Sequence, residues 1–329
     1  MRLITFRRNG HYGLGALMGE SVLDLSSAFQ ILFPTRDPDD PGLPATMTSF
    51  LRMEDLGIAR AQAVLERVTT TETLAQARHP LKDIEILAPI PRPGKILAVD
   101  YNYQSFINDA RRLLHKQGLD VPNWTPPKRP WLFGKFSTTV VGPGAAILRP
   151  RGTQSLDAEG ELAVVIGKSG RFISESDALD YIAGYTLFND VSDRSVEFRP
   201  SPSINHRLFV LGKNNDTFGP MGPCLFTPDE VGDPNTLSLE VLVNGKLIYR
   251  YTTGDALFSV QALVSFCSQA FRLDPGDVIS TGSGGGCGVF QDPPHFLCPG
   301  DSVTVRIPGL AELENPVEEE PSQVFDESK

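Results

Sequence analysis

Glu159 and Glu161 stand two residues apart in the run Leu156-Asp157-Ala158-Glu159-Gly160-Glu161-Leu162-Ala163-Val164-Val165. Side chains two apart on a β-strand leave the same face. The pair therefore sets two carboxylates side by side where the strand turns wholly apolar. Adjacent inward-facing negative charges are costly unless a cation or a proton compensates them. A divalent metal does this, and an all-oxygen donor set favours a hard ion, Mg2+ or else Mn2+ or Ca2+, over zinc. A third acid, Asp190, ends the run Tyr185-Thr186-Leu187-Phe188-Asn189-Asp190. If the two strands are neighbours, Asp190 completes a three-carboxylate set with positions open to substrate and water. The plainer alternative is a group of solvated acids on an edge strand.

The elements that must position these acids are mostly short strands. Residues 161–166 (ELAVVI) and 184–188 are strands. Asn9-Gly10, between residues 1–7 and 12–18, signals a hairpin, as does Asn244-Gly245 between residues 237–243 and 246–252. Residues 95–99, 277–280 and 302–307 read as further strands. Helical spacing runs over 47–69, over the polar segment 101–118, briefly over 175–183, and over 259–271 with Val260, Leu263, Val264, Cys267 and Phe271 on one stripe. Four prolines make 119–130 a loop, and the proline-rich stretch 89–94 reads as a linker. Many strands, few helices and no regular βα alternation give an α+β, mostly-β class. The division expected is a small N-terminal domain over 1–88, a catalytic domain over 89–317 and an acidic, disordered tail over 318–329.

Composition sets limits on partners. The 329 residues carry 30 Lys+Arg against 40 Asp+Glu, a net charge of -10. Nucleic acid wants a basic surface and is not expected here. A small anionic substrate stays open, because one divalent ion or a few converging cations reverse the local field. The four cysteines form no C-x-x-C pair, so no disulfide framework is expected. No stretch approaches the length needed to span a bilayer, and the charged, strand-like first residues do not resemble a secretory leader. These features lead to the expectation of a cytoplasmic protein without a membrane partner.

Residues 156–198, LDAEGELAVVIGKSGRFISESDALDYIAGYTLFNDVSDRSVEF, resemble the signature of the fumarylacetoacetate hydrolase family. The resemblance continues through GKNNDTFGPMGPCLFTPDEV, LEVLVNGKLIYRYTTGDALFSV, LDPGDVISTGSGGGCGVF and FLCPGDSVTVRIPGLAELENPV, in the family's order. It implies a mixed β-roll catalytic domain with a small N-terminal α/β domain, usually a homodimer, that binds a small 2-oxo or diketo acid. It implies Glu159, Glu161 and Asp190 as metal ligands. Arg194, Lys213 and Ser283 are implied to face the substrate, Arg194 and Lys213 also as catalytic residues, with Tyr101 a further substrate-binding residue at the start of a lid over 101–118. Read from the residues alone, Arg194 could equally pair with Asp193 or Glu197, and Lys213 could be a surface lysine.

Two departures bear on the chemistry. Hydrolases of the family place a histidine and a glutamate on a lid helix after an Asn-Tyr pair. Here Asn102-Tyr103 is followed by Phe106 and Asp109 at those positions, and a phenylalanine moves no proton. Substitute bases to weigh are Asp109, His115 and His206, although a histidine placed like His115 is more often a solvated surface residue. Glu197 stands where fumarylacetoacetate-cleaving members carry glutamine. The family's T-G-T-P is Thr281-Gly282-Ser283-Gly284 here, from which a more flexible loop is expected; it fits neither a dinucleotide fingerprint nor a P-loop. The activity expected first is hydrolysis of a carbon–carbon bond in an acylpyruvate. A 2-oxo acid decarboxylase, hydratase or tautomerase, or an impaired binding homologue, are the alternatives that Phe106 raises.

Overall fold

The computed structural model describes residues 1–34, 39–68, 72–118, 125–197 and 209–321. The chain opens with β1 (Arg2–Arg8) and β2 (His11–Met18). Asn9 and Gly10 between them take φ of 50° and 80°, the left-handed pair that a tight hairpin with this twist requires. Next come β3 (Ser21–Asp24) and α1 (Leu25–Leu32), capped by the Asp24 carboxylate, which accepts from the Ser27 amide at 2.9 Å. The single helix expected over 47–69 is two, α2 (Met47–Leu51) and α3 (Asp55–Arg67). The chain breaks at Glu54, with φ 50°, and α3 folds back so closely that a Cβ on Gly57 would lie 2.8 Å from the Phe50 carbonyl. Two short strands, β4 (Arg78–Pro80) and β5 (Glu85–Ile86), follow. The stretch expected as a linker is packed instead: Thr5 donates to the Pro89 carbonyl at 2.8 Å, and Ile90 is buried.

The rest of the chain supplies the site. It runs β6 (Ile96–Asp100), α4 (Gln104–Lys116), β7 (Trp131–Lys135), β8 (Val140–Val141) and β9 (Ile147–Arg149). Then come β10 (Leu156–Asp157), β11 (Gly160–Ile166), β12 (Ile182–Asn189), β13 (Ser192–Asp193), α5 (Arg194–Glu197), α6 (Phe209–Lys213) and β14 (Gly219–Phe226). The last are α7 (Pro228–Val231), β15 (Ser238–Val243), β16 (Lys246–Thr252), α8 (Val260–Ala270), β17 (Val278–Ser280), β18 (Ser302–Ile307) and β19 (Ala311–Glu319).

Among the described residues, twelve strands make one sheet in the order β4-β3-β2-β1-β14-β12-β11-β17-β6-β7, with β5 on β1 and β8 on β14. The N-terminal strands thus continue the sheet that carries Glu161, since β1 pairs with β14 at Arg2↔Phe226 and Leu3↔Leu225. A second sheet, β16-β15-β18-β19-β9, packs across it. The two come close at Gly160, where a Cβ would lie 2.5 Å from Val241 and 2.9 Å from Val305. Strands β11 and β12 are buried along their full length, which explains their unbroken apolar runs.

Three elements differ from their sequence expectations. The helix expected over 175–183 is one 3-10 turn, Ala178–Tyr181, because β12 already begins at Ile182. Strand β14 is hidden in sequence by Pro220 and Pro223; a register shift against β12 between Tyr185 and Leu187 accommodates it. The acidic end is ordered further than expected: Glu318 and Glu319 belong to β19 and pair with Leu148 and Arg149. Arg149 binds Glu319 at 2.8 Å, so charge pairing replaces the apolar signal that would have marked a strand. Residues 322–329 of the expected tail, and 119–124 of the expected loop, lie outside the described residues.

Candidate metal and substrate site

Antiparallel pairing of β11 with β12 brings the three acids together. Gly160 sits opposite Asn189, and the Asp190 amide donates to the Glu159 carbonyl at 2.8 Å. One carboxylate oxygen each from Glu159, Glu161 and Asp190 then lies within 4.8 Å of the others, and all three residues are buried. The solvated-edge alternative is thereby excluded.

Buried acids need partners, and each finds a different set. Glu159 Oε1 accepts from Arg194 at 2.7 Å, while its Oε2 accepts from Lys213 and, at 3.3 Å, from Ser192. Burial alone would raise its pKa, but Arg194 and Lys213 hold it far below the usual carboxylate range. Asp190 receives Lys135 at 2.5 Å on one oxygen and Lys213 at 2.7 Å on the other. Lys135 is fully buried, and desolvation pushes its ammonium pKa down against the pull of Asp190. Glu161 is different. Among the described residues its hydrogen-bond partners are the Ser280 hydroxyl and the Gly282 amide, both neutral. Burial, with Asp190 and Glu159 beside it, raises its pKa well above the ordinary value.

A divalent ion fits this donor set. Three hard oxygen donors converge, and Glu161 is a buried carboxylate served there by neutral donors, so a cation bound to it would relieve its cost. Glu159, Glu161 and Asp190 would hold the ion.

The candidate substrate residues surround the acids. Arg194 is buried and binds Asp157 and Glu159, while Asp193 accepts instead from Thr153 and Ser195. Lys213 is buried, bridging Glu159 and Asp190, and is not a surface lysine. Ser283 lies 3.0 Å from the Tyr249 hydroxyl. Tyr251 reaches the Gly160 carbonyl at 2.9 Å. Two tyrosines of β16 thus clamp the strand segment between the glutamates.

An aromatic cluster adjoins Lys213 through Phe133. Trp131, Phe133 and Lys135 alternate onto one face of β7. The Lys213 ammonium stands 5.4 Å from the Phe133 ring centre. Tyr101, at φ 54°, meets Trp131 edge-on at 5.8 Å and Phe106 edge-on at 5.6 Å. Phe106 in turn meets Phe290 at 5.0 Å.

The substitute bases fare less well. Both Asp109 oxygens are engaged, by the Gly286 amide at 2.8 Å and by Arg112 at 2.7 Å. His115 is exposed near the end of α4. His206 and the Glu197 side chain lie outside the described residues. The glycine loop is packed, which corrects the expectation of flexibility. A Cβ would lie 2.2 Å from Tyr251 at Gly284, 2.7 Å from Ser105 at Gly285 and 2.6 Å from Tyr249 at Gly286. The glycines let α4 and β16 close on the loop from two sides. Sequence reasoning missed Lys135, Asp157 and Tyr249. Asp157 shared the alternation of Glu159 and Glu161 and was findable; Lys135 and Tyr249 come from distant strands with no marking pattern.

Similarity to known proteins agrees with this geometry. Residues 95–318 match the sequence model of the fumarylacetoacetate (FAA) hydrolase C-terminal region. The chain is 36% identical to a mitochondrial oxaloacetate tautomerase of Xenopus laevis over 96% of this chain and 90% of that protein. It is 34% identical to the mitochondrial counterpart of Rattus norvegicus, over 96% and 91%. Among solved structures, maleylpyruvate hydrolase from Sphingobium sp. SYK-6, in complex with manganese(II) and pyruvate, superposes with a TM-score of 0.72 at 26% identity, covering 98% of this chain and 100% of that one. The mitochondrial relatives overturn the cytoplasmic expectation. Among the described residues no helix is long and apolar enough to cross a membrane. The triad, the cations around it and these similarities together place the chain in the fumarylacetoacetate hydrolase family.

Proposed function

We propose that this protein interconverts the keto and enol forms of a small 2-oxo acid of the oxaloacetate class. The observation that carries the reading is Phe106. Tautomerisation is a net transfer of one proton between the substrate's carbon and oxygen, taken up and returned by a single carrier group or water molecule, and it consumes no water. Hydrolysis needs a group to draw a proton from water. At the two positions where such a pair would stand, Phe106 is an apolar ring held between Tyr101 and Phe290, and Asp109 is bound to Gly286 and Arg112. The relatives named as oxaloacetate tautomerases support the same chemistry.

A divalent ion, when bound at Glu159, Glu161 and Asp190, supplies Lewis acidity toward a keto oxygen. Arg194 and Lys213 hold substrate carboxylate and developing negative charge by charge-assisted hydrogen bonds. Tyr249 accepts the Gly160 amide at 3.0 Å, so its own proton turns to Ser283 at 3.0 Å or to the Ala158 carbonyl at 3.3 Å. Pointed at Ser283, it leaves the serine hydroxyl free to donate to a substrate oxygen. Tyr101, Phe106 and Trp131 meet edge-on as one aromatic cluster.

Carbon–carbon hydrolysis of an acylpyruvate is the second reading, supported by the likeness to maleylpyruvate hydrolase. One set of assays separates the two. With Mn2+ or Mg2+ present, the ultraviolet absorbance of enol-oxaloacetate should relax to the keto form at least tenfold faster than without protein, and acylpyruvates should yield no pair of product acids. No acceleration overturns the tautomerase reading, and release of two acids installs the hydrolase.

A further inference from the structure

We infer that Asp157 is a positioning residue that fixes the Arg194 guanidinium, an assignment that rests on the 2-oxo acid site proposed above. Asp157 Oδ2 accepts from Arg194 Nε at 3.0 Å and from Nη2 at 2.9 Å. The same Nη2 donates to Glu159 Oε1 at 2.7 Å. Two nitrogens directed at one carboxylate fix the plane of the guanidinium, and the shared Nη2 fixes where it lies against the triad. Glu159 meets Arg194 through Nη2 alone, so of these two acids it is Asp157, reached by both Nε and Nη2, that sets the plane.

The backbone holds both partners in register. Asp157 pairs with Ser192 and Leu156 with Asp193, and the Arg194 amide donates to Ser155 at 3.0 Å. Asp157 also receives the Gly288 amide at 2.9 Å on Oδ1 and the Val289 amide at 3.2 Å on Oδ2. Gly288 makes this approach feasible, because a Cβ there would lie 2.6 Å from Asp157 Oδ1. The turn bearing Phe290, the ring against Phe106, therefore hangs from the carboxylate that aims Arg194. Asp157 is buried, so these contacts occur away from water, where a misaligned charge is costly.

The test is a double-mutant cycle read by binding. D157N keeps the side chain's shape, but its single oxygen serves either Gly288, which turns an amide NH2 on Arg194, or Arg194, which then meets a neutral oxygen. Titration of the Mn(II)-loaded protein with oxalate should show at least a tenfold loss of affinity in D157N. Mn(II) affinity should change less than threefold. In an R194Q background, D157N should add less than a twofold loss. Equal losses in both backgrounds, or unchanged oxalate affinity in D157N, overturn the assignment. If D157N does not fold, D157E carries the same comparison, since it keeps the charge and displaces it by one methylene. Failure of both to fold makes Asp157 structural and overturns the positioning role. Wild-type protein that binds Mn(II) but not oxalate removes the proposed function and this assignment together; wild-type binding of both with D157N unaltered removes Asp157 alone.

Discussion

The Asp190 amide donates to the Glu159 carbonyl at 2.8 Å, and that one backbone bond delivers the third acid of the triad to the first two. The acids come from residues about thirty apart in sequence, and strand register converts that separation into a donor set within 4.8 Å.

Glu161 should be the acid on which metal binding depends most, since its partners among the described residues are neutral. E161Q is expected to lower Mn(II) affinity at least 100-fold by calorimetric titration while the protein stays folded. Saturating Mn(II) at 100 times its dissociation constant should stabilise wild type by about 2.7 kcal/mol, and a chelator should reverse this. E161Q should lack that gain, and its metal-free form should melt no lower than metal-free wild type, because a buried acid has been neutralised. Full Mn(II) affinity in E161Q would show that the triad is not the metal site.

Gly160 should tolerate no side chain. A Cβ meets Val241 at 2.5 Å and Val305 at 2.9 Å, both from the second sheet. G160V is expected to cost about 1–3 kcal/mol by overpacking, measured by urea unfolding. It should also weaken Mn(II) binding, because both neighbours in sequence, Glu159 and Glu161, are proposed ligands. A variant as stable as wild type would mean that the sheets do not meet here.

Acid sensitivity should trace in part to Glu240. Its carboxylate binds Arg306 at 2.6 Å and also Arg250, and these hydrogen bonds, Arg306 first, hold its pKa below the ordinary glutamate value. A carboxylate depressed in the folded state adds stability that is complete above its unfolded value. That stability is lost as pH falls through the folded value. E240Q should therefore flatten the acid side of the stability–pH curve and lower stability at neutral pH. Arg250 and Arg306 are partly exposed, so salt should shrink the difference. Superimposable acid limbs for E240Q and wild type would refute the pairing.

In the proposed function Phe106 is what separates hydrolysis from tautomerisation. F106H places an imidazole between Tyr101 and Phe290 and should cost about 1–3 kcal/mol in stability. Because Asp109 stays bound to Gly286, we expect a gain in acylpyruvate cleavage that is small beside any loss in oxaloacetate tautomerisation. Product analysis and the enol absorbance assay measure the two in parallel. Acylpyruvate cleavage by F106H as fast as the tautomerisation proposed for wild type would show that position 106 alone selects the reaction.

Sequence alone determined the acids, most strands and the family. Glu159 and Glu161 share a strand face by the geometry of the pleat, and Asn9-Gly10 and Asn244-Gly245 set their hairpins through local φ preferences, so short windows sufficed. The tertiary structure decided the rest, because it depends on contacts between distant segments. Lys135 reaches Asp190 across 55 residues, and Tyr249 reaches Gly160 across 89. Asp109 read as a substitute base until the fold set the Gly286 amide against it. The prolines of β14 and the acids of β19 masked two strands that only sheet pairing sustains. The glycine loop read as loose because its rigidity is supplied by Ser105, Asp109 and the tyrosines of β16, none of which is its neighbour in the chain.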